Sequence, residues 1–403
     1  MKILHTSDWH LGHTLYNYDR TAEQQSFLRQ LTRIVTEEQP DAMVVSGDIY
    51  HYSSPAAATQ KMYTDAMLNI HQACPGMAIV VTAGNHDSSS KLEIDSNLWQ
   101  HFGLNVVGNI ERTAEEVNLD KHIIEVKNGQ ETKGYVIAVP HVYPQNFPLL
   151  DTETPRDQRQ ARFFQALLDE VKKRNTAQLP VVLMAHLSIE GSDRSGHDES
   201  IGGIEYVPLS AMGEGYDYLA LGHIHCPQDI KGSHHHARYC GTPLPVSFDE
   251  TYPHSVSIIE LEKGVEPQIS TREIENPIPL VTLPHDPTPF EDALKLLEEY
   301  PEEKPAYLRL NVLTKGYLPP DCNEKASNAA KGKACKYCYI KTTRERQADT
   351  DESKPISIQE MQEMSPLEIA RLYYRETEGE EMDPELCQLM ETVVQKVKSK
   401  NNS

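Results

Sequence analysis

Five strand-like runs in this chain each finish on side chains that can bind a metal or move a proton, and this repetition limits the possible folds more than any other feature. MKILHTSDWH delivers Asp8 and His10, DAMVVSGD delivers Asp48, and MAIVVTAGNHD delivers Asn85, His86 and Asp87. PVVLMAHLS ends near His186, and YDYLALGHIH ends on His223 and His225. Between the runs the period changes. Residues 21–38 place Phe27, Leu28, Leu31, Ile34 and Val35 on one helical face, and PAAATQKMYTDAMLNIHQ reads as a helix with Pro55 near its start. Apolar strands alternating with amphipathic helices predict a layered α/β domain. In open α/β sheets the functional crevice lies beyond the carboxyl ends of the strands, so five such ends would gather these groups in one place.

Each run alone has a plainer explanation. Asp-x-His is common in turns, Gly-Asp and Gly-Asn often only turn the chain, and a His after an apolar run is usually a hydrogen-bonded core residue. Five repetitions of one form favour convergence. If the first strand stays extended, Asp8 and His10, two residues apart, point to the same side. Gly47, Gly84 and Gly222 each precede a candidate ligand, where a sharp exit or a close approach suits a residue without Cβ.

At 403 residues the chain predicts one large domain with attachments. The N-terminus lacks the apolar core of a signal peptide and no stretch is long enough to span a bilayer, so a soluble, cytoplasmic protein is expected. Seven scattered cysteines do not form a disulfide framework. Cys335 and Cys338 lack a second CxxC and read as an ordinary pair in a strand rather than a zinc site. His234, His235 and His236 are consecutive, cannot all face one ion, and read as an exposed hairpin. The net charge of −22 argues against a polyanionic partner at long range. Residues 325–346, however, hold seven Lys or Arg against one Glu.

The ordered set D-x-H, G-D, G-N-H-D, a lone His and G-H-x-H resembles the calcineurin-like metallophosphoesterases. HTSDWHLG, GDIYHYSSP, AGNHDS, ALGHIH and RYCGTPLPVSFDE narrow the resemblance to the SbcD family, the nuclease subunits of bacterial SbcC/SbcD DNA-repair complexes. The resemblance implies a layered β-sandwich core with flanking helices. It implies two divalent ions and favours Mn²⁺, one held by Asp8, His10, Asp48 and His225 and the other by Asp48, Asn85, His186 and His223. It leaves His86 for proton transfer, with Asp87 to orient its ring, and it sets His51 beside the phosphate. A polar loop residue is a nearly equal reading of His51. The implied activity is double-strand exonuclease and single-strand or hairpin endonuclease cleavage of DNA, in partnership with the SbcC ATPase, in a heterotetramer built on a homodimer. The dimer seam would involve helices around residues 56–72 and 91–101.

The expected organisation is a nuclease domain over residues 1–275, a DNA-capping α/β domain over 276–346, and a connector with an SbcC-binding helical tail over 347–403. NPIPLVTLPHDPTP has five prolines in fourteen residues and reads as a linker. FEDALKLLEEY and NEKASNAAKG read as helices, AYLRLNVLT and ACKYCYIKTT as strands. The basic stretch in this module would supply phosphate contacts. In the tail, Ser365 and Glu368 have capping-box spacing, Leu367, Ile369, Leu372 and Tyr373 share one side, and Leu386, Leu389, Val393 and Val397 mark a second amphipathic helix. Unpartnered apolar faces imply a partner surface. The alternatives are a small-molecule phosphodiesterase or protein phosphatase on the same scaffold, or a binding scaffold with a vestigial site. GNHD, where protein phosphatases of this superfamily usually end in Glu, argues against the phosphatase, and the complete ligand set argues against the scaffold.

Overall fold

The computed structural model describes residues 1–112, 117–151, 153–195, 206–233, 236–316 and 318–344, and beyond them 365, 367–371, 374, 382–383 and 386–390. Met1–Arg344 form one compact unit and Glu345–Ser403 a second.

The first unit is built on two six-stranded sheets. One runs, in spatial order, Gln268–Glu273, Ser255–Glu260, Lys2–Thr6, Ala42–Ser46, Ala78–Thr82 and Leu104–Val107. The other runs Gln228–Asp229, Ala237–Tyr239, Tyr218–Gly222, Val181–His186, Glu131–Ala138 and Ile123–Asn128. The periodicity of each strand explains the layering. Ile3, Ala42, Val44 and Val80 face Val136, Ala138, Val182, Met184 and Ala220 of the opposite sheet. Their neighbours Leu4, Met43, Val45, Ile79 and Val81 face outward, against the apolar sides of helices Thr21–Glu38 and Ala57–Ala73. Helix Arg159–Arg174 covers the outer face of the second sheet through Phe163, Phe164, Leu167 and Val171. Strands covered on both faces must be apolar throughout, which accounts for the unbroken runs in the sequence. The result is the expected layered sandwich with flanking helices.

Within the first sheet, Lys2–Thr6, Ala42–Ser46 and Ala78–Thr82 are parallel neighbours, and within the second so are Val181–His186 and Tyr218–Gly222. Their carboxyl ends share one edge of the sandwich. The crevice therefore opens between the ends of two packed sheets, not at a switch point within one open sheet.

The third sheet, Leu280–Thr288, Tyr307–Thr314 and Lys336–Arg344, carries helices Phe290–Glu298 and Cys322–Ala330 on its own small core. The proline-rich segment is thus a strand, not a linker. It lies at the sheet edge, where missing amides are tolerated, and its register shifts between Leu283 and Thr288, the interval containing Pro284 and Pro287. The module docks on the chain after the first strand: Tyr18 OH donates to the Tyr337 carbonyl at 2.9 Å, and Tyr307 OH donates to Glu23 at 2.7 Å.

Much of the basic stretch is engaged internally. Lys325 pairs with Asp321, Lys333 donates to the carbonyls of Leu297 and Tyr300, Lys336 sits over the Tyr18 and Tyr307 rings, and Lys341 donates to Asp249. All seven cysteines are free; Cys338 lies in the last strand and Cys335 just before it. Residues 91–101 do not make one helix but short turns at Ser89–Leu92 and Ser96–Trp99.

In the second unit, Ser365 and Glu368 form the reciprocal capping box, with Ser365 N–H donating to Glu368 Oε2 at 2.7 Å and Glu368 N–H to Ser365 Oγ at 3.3 Å. Residues 367–371 and 386–390 are helical, and Ile369, Leu386 and Leu389 are exposed. Leu372, Tyr373, Val393, Val397, His234 and His235 lie outside the described residues. No helix among the described residues is long and apolar enough to cross a membrane.

Candidate metal centre

Beyond the strands, four ligand-type residues take left-handed backbone: Asp8 (φ 52°), His10 (φ 45°), Asp48 (φ 50°) and His223 (φ 98°). Such conformations cost of order 1–3 kcal/mol each and persist only where surroundings enforce them. Here adjacent loops do so: Asp8 N–H donates to the Gly47 carbonyl at 3.0 Å, His10 N–H to the Asp48 carbonyl at 3.1 Å, and His223 N–H to Asp8 Oδ1 at 3.1 Å. The strand ends at Thr6, so Asp8 and His10 converge through this turn and not through strand alternation. Gly222 pairs with His186 across the second sheet, and a Cβ there would collide with the Ser46 carbonyl oxygen. The close approach of the two sheets demands that glycine.

The seven expected metal ligands gather in two overlapping groups. In the first, the ligand atoms of Asp8, His10 and His225 all lie within 4.8 Å of one another, with His10 Nε2 3.3 Å from His225 Nε2 and 3.9 Å from Asp48 Oδ2. In the second, Asp8, Asp48 and His186 satisfy the same limit, and His186 Nε2 lies 3.4 Å from Asp48 Oδ2 and 3.0 Å from Asn85 Oδ1. His223 Nδ1 completes it, 3.0 Å from Asn85 Oδ1. Asp48 thus touches both groups, and Asp8 belongs to both triplets.

Partners behind the ligands set their direction. His186 Nδ1 faces the Ser46 carbonyl at 2.8 Å, and since a carbonyl only accepts, that nitrogen carries a proton and Nε2 is the atom turned towards Asn85 and Asp48, the one a metal would take. His225 Nδ1 likewise faces Glu250 Oε1 at 3.0 Å.

His86, His51 and His10 form a third group. His86 N–H donates to Asp48 Oδ1, and its Nδ1 donates to the His51 carbonyl, each at 2.8 Å. The His51 ring stacks on His86 with centroids 5.3 Å apart, and its Nδ1 is 3.4 Å from His10 Nδ1. His51 is therefore part of the centre. Asp87 does not orient the His86 ring. Its carboxylate accepts the backbone N–H groups of Ile49, Tyr50 and Gly84 at 2.9–3.1 Å, tying the Asp48 loop to the Asn85 loop.

Burial dominates the electrostatics. It raises the Asp8 carboxyl to about 6 and drives His10 well below its ordinary value. Burial also lowers His51 to about 4, assisted by His86. At Asp48 burial opposes ionisation, but His186 outweighs it and holds the carboxyl well below the usual range. Burial opposes the charged form of His186 as well, yet Asp48 raises it to about 9. At His225, Glu250 overcomes burial and raises the imidazole.

Two carboxylates, exposed by only 1 % and 2 %, share this volume with His10 and His51, which burial keeps neutral, and with His186 and His225, whose protons are held by Asp48 and Glu250; a cation is the natural charge to take the place of those protons. Oxygen and imidazole donors suit a manganese-class ion. Cys240 lies close, with Sγ 3.1 Å from Ser7 Oγ, but burial raises its thiol and keeps it protonated. The residues fit a pair of divalent ions.

Two neighbours escaped the sequence reading. His141 bonds the His186 carbonyl at 3.2 Å, and its ring lies nearly parallel to His223 at 6.5 Å. It follows the strand Glu131–Ala138, the same apolar-run-then-His signal that marked the others. Glu250 follows no strand and carries no such signal.

The calcineurin-like phosphoesterase family profile matches residues 1–227, and that of the type 5 capsule protein repressor C-terminal domain matches residues 276–378. The chain is 33% identical to the SbcD component of the SbcCD nuclease of Rhodobacter capsulatus, over 74% of this chain and 75% of that protein. It is 28% identical to the corresponding SbcCD component of Escherichia coli K12, over 95% and 94%. A solved dimetal phosphatase from Danio rerio aligns over 67% of this chain and 98% of its own, at 13% identity and a TM-score of 0.37.

Proposed function

The chain belongs to the calcineurin-like phosphoesterases and, within them, to the SbcD nucleases of SbcCD complexes, and from that premise we propose that the groups meeting at Asp48 hold the two ions with which it hydrolyses DNA phosphodiesters. Asp8, His10, Asp48 and His225 hold one ion; Asp48, Asn85, His186 and His223 hold the other. The observation that carries this reading is the position of Asp48, within 3.9 Å of His10 Nε2 and 3.4 Å of His186 Nε2. Manganese is the proposed metal, from the donor chemistry.

When bound, such a pair grips the scissile phosphate, activates water and offsets charge developing in an in-line displacement. The chain's own residues do the rest. His51 and His86 stack at the rim, where they bind and orient the phosphate. The His51 carbonyl fixes the Nδ1 proton of His86, so the protonated ring gives up its other proton from Nε2. As the bond from water to phosphorus forms and the bond to the 3′ oxygen breaks, that proton passes to the departing oxygen. Asp87 keeps the Asp48 and Asn85 loops in register and touches neither substrate nor ring.

The proposed division is a nuclease domain over residues 1–275, a DNA-capping module over 276–346 and a tail over 347–403 that binds an SbcC-type ATPase. The module's separate core and the exposed Ile369, Leu386 and Leu389 support it. Self-association through the surface near Ile94 and Leu98 is supported by their exposure, 79% and 57%. Labelled duplex and hairpin DNA incubated with Mn²⁺, Mg²⁺ or chelator, with and without the ATPase, tests the function: cleavage should require metal, and full activity in excess chelator would refute it.

A further inference from the structure

We propose that Glu250 is a positioning residue for the metal centre, and that the segment Phe248–Glu250 couples that centre to Arg309 of the C-terminal sheet. The inference rests on the two-ion reading above.

Three consecutive residues face two ways. The Glu250 side chain is fully buried, and its Oε1 lies 3.0 Å from His225 Nδ1. An ionised carboxylate only accepts, so Nδ1 donates and Nε2 is left as the ligand atom, directed at the group it shares with His10. The carboxylate is itself fixed: Thr242 Oγ1 donates to Oε2 at 2.9 Å and Val246 N–H to Oε1 at 3.3 Å. Such outer partners orient a metal-bound imidazole and raise its basicity.

The preceding two residues are held by the C-terminal sheet. Arg309 Nη1 donates to Asp249 Oδ1 at 2.7 Å, and Nη2 to the Phe248 carbonyl at 3.4 Å, with the guanidinium 5.1 Å from the centre of the Phe248 ring. Arg309 is only 5% exposed and is aimed by Thr282 Oγ1 and Tyr339 OH, each at 3.1 Å. Those partners belong to the other two strands, so all three strands set its position. Whatever shifts this sheet against the core displaces Asp249, and the next residue holds a metal ligand. The C-terminal module therefore bears on metal occupancy as well as on whatever it contacts.

The test is Mn²⁺ binding to the full chain, by calorimetry and by paramagnetic resonance, alongside apo-protein melting. Glu250→Gln should weaken one of two ions by roughly 10–100-fold and leave the other unchanged. Arg309→Met should weaken the same ion several-fold, and the double variant should bind no more weakly than Glu250→Gln alone, because both act through one path. Asp249→Asn replaces Arg309→Met if the latter fails to fold. Wild-type affinity for both ions in Glu250→Gln, or equal weakening of both together with a lower melting temperature, overturns the positioning role. Additive losses in the double variant overturn the coupling. A wild-type chain that binds no Mn²⁺ sinks the two-ion reading first, and this inference with it.

Discussion

His186 and Ser46 join the two sheets at the centre: the Nδ1 of one donates to the carbonyl oxygen of the other at 2.8 Å, and this turns Nε2 towards Asp48, 3.4 Å away. A ligand from one sheet is therefore aimed by the backbone of the other.

Asp48 stands where the two groups meet, so Asp48→Ala should be the most damaging single ligand change. Calorimetry with Mn²⁺ should show weakened binding at both sites, and cleavage of end-labelled duplex should fall below detection. Retention of two ions at wild-type affinity would remove Asp48 from its shared role.

His86 touches Asp48 only through its backbone N–H. His86→Gln should keep two Mn²⁺ per chain while turnover falls by roughly 10²–10⁴, the usual size of general acid catalysis. Single-turnover cleavage at saturating DNA reads this directly, and near-normal rates would show that the proton comes from elsewhere.

Asp87 is a structural tie, and Asp87→Asn should show it. The amide offers one accepting oxygen where three backbone N–H groups now converge. Hydrogen bonds to a charged acceptor are worth about 1.5–3 kcal/mol each, so denaturant unfolding of the metal-free protein should show a loss of about that size or more. An unchanged midpoint would mean the loops are held by other contacts.

Acid should weaken the fold through two buried histidines. Burial pushes His5 down to about 3 and His122 to about 4, from an ordinary 6.5. Between 6.5 and those values the unfolded chain takes up protons that the folded chain cannot. Their contribution to stability is then full above about pH 6.5 and falls as pH drops, by up to about 1.4 kcal/mol per pH unit for each group. Urea midpoints measured from pH 7 to 4 should show this decline, and His122→Asn should make it shallower. An identical slope would clear His122.

Ending the chain at Arg344 keeps every proposed ligand and the whole first unit. Mn²⁺-dependent cleavage of short DNA should survive, whereas co-elution with the ATPase partner and ATP-dependent stimulation should drop sharply. If the shortened chain co-elutes as tightly as the full one, the tail is not the main tether.

The strand ends are legible because a doubly covered strand must be apolar throughout, which makes a polar residue at its end conspicuous. His141 bears the same mark, though only the structure brings it to the centre. The backbone at Asp8, His10, Asp48 and His223 is not legible: left-handed φ is locally disfavoured for those residues and is imposed by hydrogen bonds from loops far away in sequence. Glu250 is hidden for a related reason, since it reaches His225 across an irregular loop with no period to betray it. The proline-rich segment misleads because composition says nothing about a sheet edge, where absent amides do no harm.

The proposed ligands come from five strand ends of two sheets, and ions bound there would make the centre a rivet as well as a reaction site. Any cation that binds the closed arrangement and not the open chain adds RT ln(1 + [L]/Kd) to stability, about 2.7 kcal/mol for each site at a hundred times its Kd. The stability of the folded chain would then rise and fall with free divalent ion. Scarcity would do more than idle the enzyme: it would loosen the seam between the sheets and expose the chain to proteolysis.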